Sequence, residues 1–370
     1  MKGIIWNGTG AELVTGLEVR APGPTEVIVR VVNAGVCHSD VSVIDGTIPW
    51  PAPAVLGHEG AGIVEEIGSA VTAVAAGDHV VIATLASCGQ CDRCNTGFPT
   101  YCRRSIGNRT EPFTLDGAPA SNFAACSVFA ERTVVSAMQC VRISPDMPLA
   151  TACLIGCGVL TGTGSVWNRA RVQLGETAVV FGVGGVGLNV IQALRISGAS
   201  KIIAVDTVPG KEAMARQFGA THFIDARDTD VVSAVRDLCP ASDGVPTGVF
   251  GAGGVNWVFD CVGHPAIIKD GMSMLDWGGN VVIIGVPPPT AELNILVGQF
   301  AYVDRGIMGC RYGMSRPHLD IPRIVDLYEK GHLLLDELVS EVYPMERFDD
   351  VIRDMHEGKL ARGVLTIAGA

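Results

Sequence analysis

The stretch Ala178-Val-Val-Phe-Gly-Val-Gly-Gly-Val-Gly187 decides the fold. It begins as a short apolar strand and continues into a turn with the spacing Gly-x-Gly-x-x-Gly, which starts at Gly182. The residues after Gly187 predict a helix, and the next apolar segment ends at Asp206, nineteen residues after Gly187. A strand, a glycine-rich turn, a helix, a second strand and an acidic residue in this order are typical of a dinucleotide-binding unit.

Each residue of this pattern has a physical role in holding a dinucleotide. Gly182 permits the tight turn, Gly184 lets backbone amides approach the pyrophosphate, and Gly187 allows the helix to pack closely on the strand. The N-terminus of the helix then meets the negative charge of the phosphates. Asp206 can accept hydrogen bonds from both hydroxyls of the adenosine ribose and would repel a 2′-phosphate, which favours NAD over NADP. The alternative is a structural glycine turn beside a surface aspartate.

The rest of the chain divides around this unit. Strands and helices alternate from Leu174 onward, which predicts an α/β fold with a doubly wound parallel sheet. The flanking segments predict mostly strands, at 26–32, 60–67, 78–83 and 363–367, with an amphipathic helix near 321–330. We therefore expect a Rossmann NAD-binding domain at 158–311, inserted into a mostly β catalytic domain formed by 1–157 and 312–370.

Composition restricts the class of ligand. The chain has 370 residues, enough for two domains, and 48% of them are hydrophobic. Its 27 basic and 38 acidic residues give a net charge of −11, which argues against nucleic acid or anionic lipid and favours a small molecule. The mean hydropathy is +0.35, but we find neither a continuous apolar helix of membrane-spanning length nor a secretory leader. We expect a cytoplasmic protein that binds neither nucleic acid nor a membrane.

Four of the twelve cysteines fall within fifteen residues. Cys88, Cys91 and Cys94 are separated by two residues each, and Cys102 follows after seven more. Four thiolates complete a tetrahedral zinc shell and leave no position open for a substrate, so the spacing predicts a structural zinc site. The alternatives are four free thiols or an iron–sulfur cluster, but the ferredoxin run continues with a cysteine after about three residues and then proline, whereas Cys102 precedes Arg103.

Three further motifs are Cys37-His-Ser-Asp40, Gly57-His-Glu59 and Gly156-Cys-Gly158. Each is weak alone, because cysteine is often a small core residue and a histidine beside glycine is often merely hydrogen-bonded. Together with the cysteine cluster and the glycine turn, they make the sequence similar to the zinc-dependent medium-chain alcohol dehydrogenases over nearly its whole length. The similarity is carried by Gly57-His-Glu-Gly-Ala-Gly62, Leu154-Ile-Gly-Cys-Gly158, Thr161-Gly162 and the glycine turn. It implies that the mostly β domain is GroES-like.

The resemblance implies a catalytic zinc held by Cys37, His58 and Cys157, with the fourth position open to water or a substrate oxygen. Asp40 would hold the His58 ring through its other nitrogen, and Glu59 would be a further carboxylate near the metal. Ser39 matches the serine or threonine of this family that takes the alcohol proton and passes it towards the nicotinamide ribose.

The cofactor positions combine the fingerprint with positions that the resemblance implies. Thr161 and Val186 would contact the nicotinamide ring, and Lys211 and Arg362 would lie at the adenosine ribose and the pyrophosphate. The full set is His38, Thr161, Gly182, Gly184, Gly185, Val186, Gly187, Asp206, Lys211, Val262, Val286 and Arg362.

Two positions depart from the family pattern. His38 stands where many animal members have arginine at the pyrophosphate, so that contact is expected to be weaker or sensitive to pH. Ser42 stands where they end the proton relay in histidine. The last step of the relay is therefore open, and water could complete it.

These features predict an NAD-dependent and zinc-dependent enzyme that interconverts a primary or secondary alcohol and its aldehyde or ketone by hydride transfer. The resemblance places Thr84 and Leu85 near the wall of the substrate pocket, where some relatives have phenylalanine, and the smaller residues here indicate room for a bulky substrate. A second reaction within the family is oxidation of the formaldehyde adduct of a small thiol. An acidic conjugate could meet the basic residues beside the cysteine cluster, which could equally be a solvated surface: Arg103, Arg104 and Arg109.

A function from another class, a zinc ribbon that binds nucleic acid or protein, fits less well. Such a module would not need Cys37, His58 and Cys157, and the net charge opposes nucleic acid. Family members associate by pairing the sheets of their nucleotide domains, so we expect a homodimer or homotetramer. The apolar segment 293–302 could supply the edge of that sheet, or could pack within its own domain.

Overall fold

The computed structural model describes residues 1–105, 110–242, 244–245 and 250–368. The chain forms two compact units: unit 1 consists of Met1–Leu160 and Ser315–Ala370, and unit 2 of Thr161–Met314. The boundaries expected from the sequence fall three residues earlier at each junction, at 157 against 160 and at 311 against 314.

The strands are numbered in chain order, and β-branched residues dominate the longest one, Glu26–Val36. Unit 1 begins with β1 Gly3–Trp6, β2 Ala11–Val14, β3 Glu18–Val19, β4 Glu26–Val36, β5 Ala54–Val55, β6 Glu59–Ile67, β7 His79–Ile82, β8 Phe113–Leu115, β9 Ala118–Asn122, β10 Arg132–Ser136 and β11 Cys140–Arg142. Unit 2 contributes β12 Thr177–Phe181, β13 Lys201–Asp206, β14 His222–Asp225, β15 Val255–Asp260, β16 Leu275–Ile283 and β17 Gly306–Gly309. The chain returns to unit 1 with β18 Val339–Pro344 and β19 Arg362–Thr366.

Three of the helices begin where the sequence supplies a side-chain cap or a proline at the first turn. Asp230 caps α7 through its side chain, and Pro265 and Pro317 occupy the first positions of α8 and α10. The helices are α1 His38–Ile44, α2 Asp92–Asn95, α3 Leu149–Ala152, α4 Gly158–Gly164, α5 Gly185–Ile196, α6 Glu212–Phe218, α7 Val231–Leu238, α8 Pro265–Met274, α9 Gly298–Val303, α10 Pro317–Glu329 and α11 Phe348–His356.

The larger sheet of unit 1 brings distant parts of the chain to one place. Among the described residues its order is β11-β7-β6-β4-β19-β18, and β10 also pairs with β4. The register sets Glu59 of β6 opposite Gly35, and Gly363 of β19 opposite Val36. Three segments far apart in sequence therefore meet at the end of β4, just before Cys37. A buried apolar core that includes Val29, Val64, Ile82 and Leu365 holds these strands together.

Unit 2 is a parallel sheet with the order β14-β13-β12-β15-β16-β17. From β12 the chain first adds β13 and β14 on one side and then β15, β16 and β17 on the other. The order in which strands are added therefore reverses between β12 and β15. In open parallel sheets ligands bind at the carboxyl ends of the strands at such a switch point. Phe181 pairs with Val205 on one side and with Asp260 on the other, which sets the glycine turn after Phe181 at that position.

The segment 293–302 does not form the edge of this sheet. Gly298–Val303 is helix α9, and the edge strand is β17. The apolar residues Leu293 and Phe300 pack against the core of unit 2, so burial within their own unit accounts for their hydrophobicity.

No single helix in the described residues is long and apolar enough to cross a membrane. One bent pair, Leu149–Gly156 followed by Gly158–Ala170, reaches the necessary length and hydropathy only when its two parts are taken together.

Candidate functional site

A cluster of metal-binding side chains lies at the end of β4 in unit 1. Cys37 follows β4, His58 immediately precedes β6, and Cys157 follows a short turn at Cys153–Gly156. With Glu59, each of these side chains offers one ligand atom, and the four atoms lie within 4.8 Å of one another. The residues that the sequence predicts as zinc ligands are thus brought together.

The His58 ring is oriented for metal binding. Its Nδ1 lies 3.3 Å from Oδ1 of Asp40, and its Nε2 is buried without a hydrogen-bond partner. A buried ring nitrogen of this kind is costly unless a ligand satisfies it. A metal ion held between Nε2 and two cysteine sulfurs fits this arrangement, since carboxylate-bound histidine is the usual form of a zinc-ligating imidazole.

Asp40 connects two of the ligand segments. It is fully buried, its Oδ2 accepts from the backbone N–H of Cys37 at 3.1 Å, and its Oδ1 accepts from the N–H of Gly57 at 3.0 Å. The Cys157 thiol donates a hydrogen bond to Cys37 that lowers the pKa of Cys37 well below its ordinary value, although burial opposes the shift. The lowered pKa favours a thiolate at Cys37, the form of cysteine that binds a metal ion.

Glu59 and Arg362 form a buried ion pair beside this cluster. Burial raises the pKa of Glu59 to about 7, against the opposing effect of the Arg362 guanidinium. Two glycines leave room for these side chains. A Cβ at Gly158 would lie 2.4 Å from Nη2 of Arg362, and a Cβ at Gly35 would lie 2.6 Å from Oε2 of Glu59. The sequence indicates both charged residues but not their pairing.

Ser39, the first residue of the expected proton relay, is partly exposed. Sγ of Cys37 and Oγ of Ser39 lie 3.9 Å apart, so this hydroxyl lies next to a zinc-ligand candidate. Ser42 is also partly exposed, one turn further along α1, and His38 is exposed at the start of that helix.

Sequence reasoning missed two aromatic residues, of which one contacts His58 and the other packs against the first. The Phe123 ring lies edge-to-face against His58, with centroids 5.3 Å apart, and against Trp50, with centroids 5.0 Å apart. On the other side, Oγ1 of Thr84 donates to the backbone carbonyl of His58 at 2.8 Å. The positions of Trp50 and Phe123 in the sequence form no motif, so only the fold reveals this contact.

The four clustered cysteines also converge, on an irregular segment of unit 1. The sulfurs of Cys88, Cys91, Cys94 and Cys102 all lie within 4.8 Å of one another. Hydrogen bonds from the backbone N–H groups of Gln90 and Cys91 hold the pKa of the Cys88 thiol at about 6. Four sulfurs at this separation fit a tetrahedral zinc ion without an open position.

The glycine turn of unit 2 has the geometry of a phosphate cradle. Gly182 has φ of +86°, which favours glycine, and a Cβ at Gly187 would lie 1.8 Å from the Gly182 carbonyl oxygen. A Cβ at Gly184 would meet no atom within 4 Å, so the space in front of it is open. Helix α5 begins at Gly185, with its N-terminus directed at that space.

Asp206 supports the turn from the end of β13. Its Oδ2 accepts from the N–H of Val183 at 2.7 Å, its Oδ1 accepts from Val208 at 2.9 Å, and Nζ of Lys211 lies 3.1 Å from Oδ2. The predicted ribose acceptor and the predicted basic residue are thus neighbours.

The remaining cofactor candidates of unit 2 lie at strand ends and at the start of α5. Val262 and Val286 follow β15 and β16 and are 51% and 60% exposed. Gly162 packs against the backbone carbonyl of Val186, which brings the Thr161-Gly162 segment next to the glycine turn. Two exposed valines at a switch point are suited to an apolar ring.

Asp260 was not singled out from the sequence. This fully buried carboxylate accepts through Oδ1 from the N–H groups of Val262 and Gly263, both at 2.9 Å. It therefore fixes the turn that carries Val262.

Comparisons with known proteins agree with this arrangement. Two family models match, one described as an alcohol dehydrogenase GroES-like domain over residues 23–145 and the other as a zinc-binding dehydrogenase over residues 185–330. The alcohol dehydrogenase class-3 of Cereibacter sphaeroides is 36% identical over 364 residues, which cover 94% of this chain and 95% of that protein. The S-(hydroxymethyl)glutathione dehydrogenase of Paracoccus denitrificans is 36% identical over 363 residues, with the same two coverages.

Solved structures of alcohol dehydrogenases also resemble this chain over its full length. The benzyl alcohol dehydrogenase of Acinetobacter calcoaceticus is 34% identical to this chain and superposes with a TM-score of 0.89. The alignment covers 100% of both chains.

Proposed function

The chain belongs to the zinc-dependent medium-chain alcohol dehydrogenase family, and from this premise we propose that it oxidises a primary or secondary alcohol with NAD and catalyses the reverse reduction. The predicted family and the α/β fold with GroES-like and Rossmann parts are confirmed by the matches to both family models and to full-length relatives. The chain is an oxidoreductase that uses zinc and NAD. The observation that carries the proposed reaction is the unpartnered, buried Nε2 of His58 beside two cysteine sulfurs.

The residues divide the chemical tasks between them. Cys37, His58 and Cys157 would hold a zinc ion that acts as a Lewis acid on the substrate oxygen, while NAD accepts the hydride. Asp40 keeps Nε2 of His58 directed at the metal by binding the opposite ring nitrogen. Ser39 would accept the proton of the substrate hydroxyl while it passes its own hydroxyl proton on towards the nicotinamide ribose, since its hydroxyl lies beside Cys37.

The cofactor is assigned to the glycine turn and its neighbours. The open space in front of Gly184 would take the pyrophosphate, and Asp206 would bind the adenosine ribose. Val262 and Val286, with Thr161 and Val186, would contact the nicotinamide ring. The basic groups proposed for the pyrophosphate and the ribose are His38, Lys211 and Arg362.

The decisive experiment is an assay of NAD reduction with benzyl alcohol, followed by the near-ultraviolet absorbance of NADH. We expect turnover by the zinc-loaded enzyme and a loss of at least about 10³-fold in His58→Ala, which removes the metal ligand together with its Lewis acid. Met138→Ala, at an exposed position of unit 1 outside the cluster, serves as the control. Full turnover by His58→Ala would contradict the proposal.

The second candidate is oxidation of the formaldehyde adduct of a small thiol. Its support is the relative named S-(hydroxymethyl)glutathione dehydrogenase, together with the exposed basic side chains of Arg103 and Arg104. Arg109, the third basic residue considered, lies outside the described residues. Turnover with formaldehyde only when glutathione is added would favour this reaction over the first.

Two further properties concern the assembly and the location of the protein. We infer a homodimer or homotetramer, because β17 forms an edge of the parallel sheet and Tyr302 nearby is 76% exposed. Light scattering should give a mass above 38.7 kDa. We also infer a cytoplasmic location, because the twelve cysteines are all unbridged, as in reducing compartments.

A further inference from the structure

The backbone carbonyl of His58 is bound by a side chain at the point where two strands separate. The register of β6 and β7, continued by two residues past its last pair, sets Thr84 opposite His58. Hydrogen-bonded pairs recur at every second residue of an antiparallel ladder, and the N–H of Val64 donates to the Asp78 carbonyl at the other end of this one. A regular ladder would therefore direct the N–H of Thr84 at His58. Instead, Oγ1 of Thr84 donates to the His58 carbonyl, at 2.8 Å.

The backbone donor of Thr84 is used on the segment that carries Cys157. The N–H of Thr84 donates to the Gly156 carbonyl at 3.2 Å. Gly156 packs closely on the end of β7, where a Cβ at this position would lie 2.1 Å from the Ile82 carbonyl oxygen. Thr84 therefore binds the residue before Cys157 with its backbone and binds His58 with its hydroxyl.

Thr84 itself is held in place. It is buried, and both polar groups of the preceding residue, Ala83, are bound to Gln139, which is also buried. The N–H of Ala83 donates to the Gln139 carbonyl at 2.8 Å, and the Ala83 carbonyl accepts from Nε2 of Gln139 at 3.1 Å. A segment fixed in this way can hold two other segments at a constant spacing.

We propose that the Thr84 hydroxyl is a positioning group for the catalytic zinc site and fixes the spacing between the His58 and Cys157 segments. The proposal rests on the zinc site of the function proposed above. Asp40 holds the His58 ring and the N–H of Gly57, and Thr84 holds the His58 carbonyl, so the ligand is fixed on both sides of its Cα atom. Removing a partner that orients a metal ligand typically costs about 10- to 100-fold in metal affinity or activity.

The test measures zinc affinity by competition with a chromophoric chelator. Thr84→Val keeps the shape of the side chain and removes the hydroxyl, and His58→Ala identifies which of the two zinc ions belongs to this site. We expect Thr84→Val to bind that ion about tenfold or more weakly and the other ion as the wild type does. Thr84→Ser keeps the hydroxyl and should bind both ions nearly as the wild type does.

The matched control is Thr133→Val. The Thr133 side chain is fully buried, and its hydroxyl also donates to a backbone carbonyl, that of Cys126, which is not among the zinc-ligand candidates. Thr133→Val therefore loses the same kind of bond. It should lower the free energy of unfolding without changing zinc affinity.

Each outcome decides the matter. Weaker zinc binding in Thr84→Val, with zinc binding retained in Thr84→Ser and Thr133→Val, would support the proposal. Unchanged zinc affinity in Thr84→Val, or an equal loss in either of the other two variants, would overturn it. If Thr84→Val does not fold, Thr84→Ala compared with Thr84→Ser gives the same decision. A wild type that binds zinc at this site and oxidises no alcohol would contradict the proposed function alone, because the zinc measurement does not require turnover.

Discussion

Nη2 of Arg362 lies 3.5 Å from Oε1 of Glu59, and both side chains are almost completely buried. The register of β19 and β6 on either side of β4 creates this pair, and it places a guanidinium beside the zinc-ligand candidates. Neither carboxylate oxygen of Glu59 has a hydrogen-bond partner. The charge of Arg362 is therefore the main compensation for burying this carboxylate.

Removing Arg362 alone should be more harmful than removing both partners. We expect Arg362→Met to lower the free energy of unfolding by about 3–5 kcal/mol, because it leaves an unpaired buried charge, and Glu59→Gln/Arg362→Met to recover much of that loss. Denaturant unfolding with measured zinc content checks both variants. A double mutant no more stable than Arg362→Met would show that the guanidinium acts through other contacts.

The Glu59–Arg362 pair also predicts how the loss of stability in Arg362→Met depends on pH. The folded pKa of Glu59 is already raised to about 7, above the ordinary value of 4.5. A carboxyl group whose pKa is higher in the folded chain than in the unfolded chain binds more protons when folded. The free energy that its burial costs therefore increases as pH rises through that range. The defect should be smaller at about pH 5 than at about pH 8. A defect that does not vary with pH would contradict this explanation.

Local patterns predicted much of the fold. The strand at Lys201–Asp206 and the glycine turn after Phe181 were predictable, because apolar runs and glycine spacing record local geometry. The pairing of Glu59 with Arg362 was not, since it depends on the register of strands far apart in the chain. The segment 293–302 was considered as a sheet edge because it is apolar, yet its residues bury themselves against the core of unit 2.

Metal analysis should find two zinc ions per chain. The seven candidate ligands divide into a closed set of four cysteines and an open set of three residues. Cys91→Ser should retain about one zinc and lose stability more than turnover, since a structural site contributes its binding energy to folding. Thr96→Ser, in the same segment, keeps its hydroxyl and is the control. Bound iron with visible absorbance, or a fully stable Cys91→Ser without turnover, would refute the assignment.

Cofactor choice should depend on Asp206. Asp206→Ala removes the ribose acceptor and the repulsion of a 2′-phosphate together, so we expect KM for NAD to rise about tenfold and the preference over NADP to shrink. Asp206→Asn separates two effects, because its amide oxygen can still accept from Val183 while the negative charge is lost. An unchanged preference for NAD over NADP in both variants would show that other residues determine the choice of cofactor.

The zinc ligands were easier to predict than the aromatic contacts beside them. Cys37, His58 and Cys157 belong to motifs with distinctive neighbours, so the sequence alone indicated them. The contacts of the Phe123 ring with His58 and with Trp50 arise only in the folded chain. Packing of this kind leaves no spacing pattern in the sequence.

The proton path should begin at Ser39. If its hydroxyl takes the substrate proton, Ser39→Ala should lower turnover by a factor on the order of 10² or more, while NAD binding stays nearly intact, as expected for loss of a positioned proton acceptor. Ser39→Thr keeps the hydroxyl and should be tolerated. Steady-state kinetics with parallel measurement of zinc and NADH binding provides the check. Full turnover by Ser39→Ala, with both cofactors bound, would refute the relay.

The second position of the proton relay, Ser42, should contribute less to turnover than Ser39. A serine hydroxyl cannot act as a base near neutral pH, so Ser42→Ala should change turnover much less than Ser39→Ala, at most through an ordered water. Ser42→His places a group with an ordinary pKa of about 6.5 at this partly exposed position. It should raise turnover below neutral pH if proton release limits the rate. A pH profile that is the same in Ser42→His and the wild type, together with a solvent isotope effect of one, would show that hydride transfer or product release limits turnover instead.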